Sequence, residues 1–299
     1  MILCALYTKN RLWGNVDENV STPDFGCEAV FFLVNPRASV ESGLRGEILR
    51  TEILYEDKDL LVVRKPAGLA TQTSRVGQVD VVSELKNYIG AAGSSSPPYL
   101  GIVHRLDQPV EGLLVFAKNK KAAGELTGQF CGQGAESCLN KQYYAVLYGN
   151  PSQKEGELVN DMYKDKGGRA VIADSTAGVN GKGITLKRAV LHYRILQTVR
   201  IPSGEEISLA DIQIATGRFH QIRAQMAHFG TALLGDEKYA DEGTKACSHR
   251  LGVRNVALCA RRLTFIHPVT GKKVCFETRP TSEVFALFDK IPAIDEEDG

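Results

Sequence analysis

His104, Arg105 and Asp107 stand close together in the stretch HRLDQPVEGLLVFAK (104–118), just ahead of Gly112 and an alternating apolar run. A carboxylate held at the start of a strand can act as nucleophile, as general base or as electrostatic anchor. An aspartate in a turn is more often a simple turn-former, and position alone does not choose among these roles. What sets Asp107 apart is its company, because a turn by itself needs neither the histidine nor the arginine. A second group of chemistry-bearing residues, Arg218, His220, Gln221 and Arg223, gathers in ATGRFHQIRAQMAHFG (215–230). There Ile222, Met226 and Phe229 recur at i, i+4 and i+7, which predicts a helix beginning near His220 and ending at Gly230. That spacing places His220, Arg223 and Ala227 on a face away from the apolar stripe.

Other chemistries find less support. GVNGKG (178–183) has a Gly-Lys pair, but Lys182 precedes a glycine where a phosphate loop needs a hydroxyl residue, so it reads as a loop. His220 and His228 match no common metal spacing, and no metal site is expected. No serine or cysteine sits in a recognisable nucleophile elbow, which leaves a hydrolase using Asp107 with His104 or His220 poorly supported. The 7 cysteines are odd in number and include no C-x-x-C pair, so neither a disulfide framework nor a zinc site is indicated.

The elements that must hold these residues are mostly strands. ILYEDKDLLVVRKPAGL (53–69) reads as two strands around a charged turn, and GLLVFAK, QYYAVLYG, LKRAVLHYRILQ and EISLADIQIAT continue the pattern. The segment from Asn119 to Gln129 has helical character, and the glycine-rich stretch 164–183 reads as a loop or open hairpin. Many strands, few helices and no βαβ rhythm predict an α+β fold with a mixed, largely antiparallel sheet and flanking helices. The chain divides into an N-terminal extension of unknown role (1–50), a main domain (51–290) and an acidic tail (291–299). No segment is long and apolar enough to span a bilayer, and the start lacks a signal-peptide core, so a cytoplasmic protein, most simply a monomer, is expected.

The 36 Lys and Arg against 35 Asp and Glu give a net charge of +1, with no global sign of a polyanionic partner. Locally, Ser248–Val274 carries Arg250, Arg254, Arg261, Arg262, Lys272 and Lys273 with no acidic residue. On charge alone this reads as a solvated face; a surface that meets phosphates is the sharper alternative.

Taken together, five stretches resemble the RluA-type RNA pseudouridine synthases. HRLDQPVEGLLVFAK is similar to that family's His-Arg-Leu-Asp signature with its following Gly-Leu-Leu and Ala-Lys. ILYEDKDLLVVRKPAGL resembles its entry strands and Lys-Pro-x-Gly turn, and KQYYAVLYG (141–149) its Lys-x-Tyr-x-Ala motif. ATGRFHQIRAQMAHFGTALLGDEKY (215–239) is similar to its Thr-Gly-Arg-x-His-Gln-Ile-Arg helix and Gly-Asp-x-x-Tyr, and VALCARRLTFIHPVTG (256–271) to its closing strand and His-Pro turn. The matches follow in family order from about residue 53 to 271.

The resemblance implies a pseudouridine synthase fold with a central RNA-binding cleft. It further implies isomerisation of uridine to pseudouridine within structured RNA, ribosomal RNA first and transfer RNA second, without a cofactor. Carried over residue by residue, Asp107 is the catalytic aspartate, Tyr143 the aromatic that packs on the base, and Arg223 the cation paired with the aspartate. His104, Arg105, Arg218, His220 and Gln221 become candidates for substrate binding. For Arg105 a phosphate contact and a structural ion pair are both open, and for Arg218 a phosphate contact and a cap. Tyr144 beside Tyr143 makes that assignment depend on register. Where the family commonly has Arg-x-Thr-Ser-Gly after the aspartate, this chain has Gln108, Pro109, Val110, Glu111 and Gly112, losing a cation and gaining an anion near the expected polyanion. Cys259 also replaces a common histidine. The altered segment is the one support for the alternative, a catalytically silent RNA-binding protein of the same fold.

Overall fold

The computed structural model describes residues 30–33, 49–75, 77–90, 97–131, 139–173 and 185–291. In chain order its elements are β1 (Val30–Leu33), β2 (Glu52–Glu56), β3 (Leu60–Lys65), α1 (Val81–Gly90), β4 (Gly101–Ile102), β5 (Glu111–Ala117), α2 (Lys120–Phe130), β6 (Asn140–Tyr148), β7 (Glu155–Lys164), β8 (Ala170–Ile172), β9 (Lys187–Arg200), β10 (Glu206–Ile214), α3 (Gln221–His228), α4 (Glu242–Arg250), β11 (Leu258–Ile266) and β12 (Lys273–Glu277). A 3-10 turn, Glu283–Leu287, follows. The described strands join one sheet in the order β2-β3-β5-β11-β6-β10-β9-β7-β8, with β4 on β5, and with β12 pairing both β11 and β1. Pairing is antiparallel except at β5 with β11 and β1 with β12. This is the mixed, largely antiparallel α+β architecture that the strand pattern predicts, and residues 30–33 add a strand to the same sheet.

Period-two alternation decides what each face of the sheet buries. Leu61 and Val63 of β3, Leu114 and Phe116 of β5, and Tyr143, Ala145 and Leu147 of β6 share one apolar cluster with Val81, Val82 and Leu85 of α1 and Ile222 and Met226 of α3. Their neighbours Leu60, Val62, Leu113, Val115 and Ala117 turn to the other face, against Ala122 and Leu126 of α2. Further along that second face, Tyr144 and Val146 pack with Cys247 of α4 and with Val284 and Phe285 of the 3-10 turn. Every residue of β5 is buried, as expected of a central strand covered on both faces. At about 1.5–3 kcal/mol for each fully buried large apolar side chain, these layers supply the main force holding the sheet in shape.

Both predicted helices form, with defined ends. Asn119 caps α2, its side chain accepting from the Ala122 N–H, and Gly230 closes α3 with φ +89 and an N–H bond to Ala227. The face of α3 that carries Arg223, set apart from the apolar stripe, is itself covered, because all residues from Gln221 to Met226 are buried. The helix is only 8 residues long and is enclosed on its polar side as well as on its apolar side. GVNGKG, the acidic tail from residue 292 onward and most of AAGSSSPP lie outside the described residues.

Candidate active site

Asp107 lies in the loop between β4 and β5, on the face shared with α1 and α3. The turn after β3 builds the socket for this loop. Lys65, fully buried, donates from Nζ to the carbonyls of Pro66 (3.0 Å), Leu69 (2.7 Å) and Gln108 (3.0 Å). The Gly68 N–H donates to the same Gln108 carbonyl at 2.9 Å. Thr71 Oγ1 donates to the Leu106 carbonyl at 2.9 Å, and the Val110 N–H closes the turn onto the Asp107 carbonyl at 3.1 Å. Burial pushes the Lys65 amine down to about 7, with the Asp107 and Glu111 carboxylates opposing the drop. The Lys-Pro-x-Gly stretch therefore clamps the backbone after Asp107, and Thr71 clamps the backbone before it.

The other wall begins at β5. Gly112 has φ +120, and a Cβ there would stand 2.5 Å from the Ala260 amide nitrogen and closer still to its carbonyl oxygen. Only glycine allows the short parallel pairing of Glu111 with Cys259 and Gly112 with Ala260. Tyr143 pairs with Ala260 and Ile212 and faces the Asp107 side, 8% exposed. Burial first, then the Asp107 charge, raises its hydroxyl above the usual tyrosine range, so it stays protonated at neutral pH. Tyr144 points to the opposite face, where Arg261 Cζ lies 4.6 Å from its ring centroid. The register of β6 thus assigns the site-facing position to Tyr143.

Arg223 brings the halves together. Its Nη1 donates to Asp107 Oδ2 at 3.0 Å, while Nε and Nη2 grip Asp236 Oδ2 and Oδ1 at 2.7 and 2.8 Å. Burial opposes the guanidinium charge, but the hydrogen bonds and charge of Asp236, with Asp107 behind them, raise its pKa above the ordinary value. Asp236 is 1% exposed and also accepts from the N–H groups of Lys238 and Tyr239. Gly235 before it has φ +74 and lies so close to the Asn255 carbonyl that a Cβ would collide, which fixes where Asp236 begins.

His220 adopts φ +51, the one positive-φ non-glycine among the described residues. Its Nε2 lies 3.5 Å from Asp107 Oδ2 and its Nδ1 2.8 Å from the Tyr239 hydroxyl. That hydroxyl also accepts the Ala170 N–H at 2.7 Å, so the ring is held at its Nδ1 edge while its Nε2 faces Asp107. Desolvation pushes His220 down to about 4, with Asp107 opposing and Arg223 and Lys238 adding to the drop. At neutral pH the contact with Asp107 is accordingly a long polar contact rather than an ion pair. The strained backbone places this ring between Tyr239 and Asp107.

The remaining expected residues separate. Arg105 and Arg218 are exposed, and Arg218 Nε donates to the Arg188 carbonyl at 2.8 Å. Gln221 does not face the site. It is 4% exposed, its Oε1 accepts from Thr216 and from the Arg218 N–H, and its Nε2 donates to Val190. It braces the 216–218 turn. His104 also turns away, its ring 4.4 Å from that of Phe130. Its Nε2 accepts the Val115 N–H at 3.0 Å where β4 has left β5, and burial with the Lys141 charge holds it down to about 3. A histidine replacing a missing ladder acceptor has no free nitrogen of that kind for substrate.

Glu111 corrects a further expectation. It does not add negative charge to an RNA-facing surface: it is 1% exposed, and its oxygens accept from the N–H and hydroxyl groups of Thr281 and Ser282. The basic stretch is also partly neutralised, because Arg250, Arg261 and Arg262 pair with Glu205, Asp211 and Glu277. Lys65, Asp236 and Tyr239 carry parts of the site that the sequence reading did not single out. Their signals were present in the Lys-Pro-x-Gly and Gly-Asp-x-x-Tyr spacings, but nothing in either spacing states which residue is buried.

Asp107, half-buried and paired with Arg223, shares its side of the sheet with Tyr143. The family profile described as RNA pseudouridylate synthase matches residues 59–228. Ribosomal large subunit pseudouridine synthase D of Zymomonas mobilis is 34% identical over 249 residues, covering 79% of this chain and 71% of that protein. Ribosomal large subunit pseudouridine synthase C of Rickettsia typhi is 30% identical, covering 81% and 72%. Among solved structures, human RNA Pseudouridylate Synthase Domain Containing 4 aligns with TM-score 0.58 at 24% identity, over 79% of this chain and 91% of that one. With its sequence matched over most of its length and its sheet shared, the chain belongs to the RNA pseudouridylate synthase family.

Proposed function

We propose that Asp107 is the catalytic aspartate of a uridine isomerisation carried out on ribosomal RNA first and transfer RNA second. The observation that carries this reading is the chain of contacts from Asp236 through Arg223 to Asp107, beside Tyr143. The uridine C1′–N1 bond breaks, the uracil turns in place and C1′ joins carbon-5. The carbon-5 proton leaves and N1 gains one, so no atom is lost overall. In this reading Asp107 acts as nucleophile or base, with the Arg223 guanidinium already fixed beside it. A uridine in folded RNA must leave its stack to present the glycosidic bond. Tyr143, protonated and held by the sheet, supplies a face to receive the uracil. The detached base then stays confined near the ribose, which makes the second bond effectively intramolecular. In this reading Arg105 and Arg218, both exposed, would meet phosphates of the RNA. Residues 51–290 form the catalytic domain in this reading.

The test is release of tritium from carbon-5-labelled uridine in ribosomal and transfer RNA taken from cells lacking the protein. Wild type should release tritium from ribosomal RNA, and Asp107→Asn should release at least about a thousandfold less with RNA affinity kept. Retained turnover in Asp107→Asn would remove the aspartate from the chemistry. Binding of RNA without turnover by wild type would favour the silent RNA-binding protein.

A further inference from the structure

Beside His220, whose ring stacks on Phe219, the β7–β8 hairpin, the start of β9 and the 217–219 turn line an open cavity of about 640 Å³. That volume lies in the range of small-ligand sites, about 300–1,000 Å³. Lys164, Lys166, Lys187 and Arg218 line it, and among the described residues none of the four forms an ion pair. The one carboxylate in the lining, Asp165, accepts the Arg169 N–H at 2.7 Å and so serves the hairpin turn. The cavity therefore suits an anion.

It also suits a ring. Phe219 lines the cavity with 39% of its surface exposed, although large aromatic side chains are usually covered. Its ring stacks on His220, centroids 3.7 Å apart and planes 20° apart. A ring stacked so closely uses one face, leaving the other to Lys164, whose Nζ lies 4.6 Å from the centroid. Lys164 is exposed, and a nucleobase is the stronger partner for an open aromatic face. Displaced from the ring, its ammonium remains within the cavity to meet a phosphate. The path from Asp107 to this face is short: Asp107 touches His220, and His220 stacks on Phe219.

We propose that this cavity is a second nucleotide subsite, which takes the unpaired nucleotide next to the target uridine in the same RNA strand, its base on Phe219 and its phosphate among Lys164, Lys187 and Arg218. The proposal rests on the RNA-modifying reading above and extends it. The enzyme selects uridines whose neighbour is free to unstack, and the residue at position 219 sets how strongly that neighbour is held.

The full-length protein would be titrated with single-stranded decauridylate, read by fluorescence anisotropy at several salt concentrations. Wild type is compared with Phe219→Ala and with the paired Lys164→Ala and Lys187→Ala variant, which alters only exposed side chains and guards against a misfolded Phe219→Ala. Phe219→Ala should weaken binding about tenfold. The lysine pair should lower the slope of log affinity against log salt by about 1.4. The same oligonucleotide carrying 4-thiouridine should cross-link to peptides containing Tyr163 or Phe219. Unchanged affinity in Phe219→Ala, or cross-links confined to other segments, would overturn the subsite. Tritium release run in parallel separates the two claims. Phe219-dependent binding without release by wild type keeps the subsite and removes the isomerase, whereas release with no dependence on Phe219 in binding or turnover does the reverse.

Discussion

Asp107 and Arg223, separated by 116 positions in the chain, meet at 3.0 Å, and the arginine reaches that contact already held on its other edge by Asp236. The guanidinium is therefore oriented before any substrate arrives. A group that need not reorganise during reaction stabilises charge more effectively than one that must.

Asp236 should accordingly matter for both stability and turnover. Asp236→Ala leaves a buried guanidinium with half its partners, a loss of about 3 kcal/mol, or about 6–12 °C in Tm for a chain of this size. Thermal melts and tritium release should fall together. A variant with wild-type Tm and wild-type turnover would show that Arg223 needs no second anchor.

Lys65 should act as a positioning residue through the loop it clamps. Lys65→Met keeps the volume but strands the Pro66 and Leu69 carbonyls, which accept from its Nζ, at a cost of about 2–4 kcal/mol. We expect kcat to fall more than KM rises, because Asp107 moves while the outer RNA contacts remain. Equal loss in both, with an unchanged urea midpoint, would argue against the clamp.

Glu111 should tie the segment after β12 to β5. Glu111→Ala removes the acceptor for two N–H groups and two hydroxyls, and about 2–3 kcal/mol of stability should go with them. Limited proteolysis should then cut near 279–285 before any other site. If cleavage there is unchanged, the segment is held by Val284 and Phe285 alone.

Stability should fall in acid. Burial depresses His104 to about 3 and His220 to about 4, against 6.5 for an ordinary histidine. Below pH 6.5 the unfolded chain binds protons that the folded one refuses, so stability present at neutral pH is lost as pH drops toward 4 and then 3. Melts between pH 7.5 and 4 should show this decline, and His104→Gln, which keeps an acceptor for Val115, should flatten it. Parallel Tm profiles for the two proteins would exclude a buried neutral His104.

Sequence alone determined a good deal of this protein. Apolar and alternating runs located β2, β3, β5, β6, β9 and β10, Asn119 and Gly230 bounded their helices, and five motifs in order carried the family. These are local properties, written in neighbouring residues and read out by backbone geometry and burial. Tertiary structure decided the rest, because facing and pairing depend on which distant segments pack together. His104 and Gln221 sit inside motifs with the same chemistry as their neighbours, yet one completes a strand ladder and the other braces a turn. Glu111 reads as a surface anion until Thr281 and Ser282 fold over it. Tyr143 and Tyr144 differ by one position, and only the pairing of β6 with β10 and β11 tells which one looks toward Asp107. A one-residue shift in that register would exchange them, so which tyrosine faces Asp107 is a property of the assembled sheet.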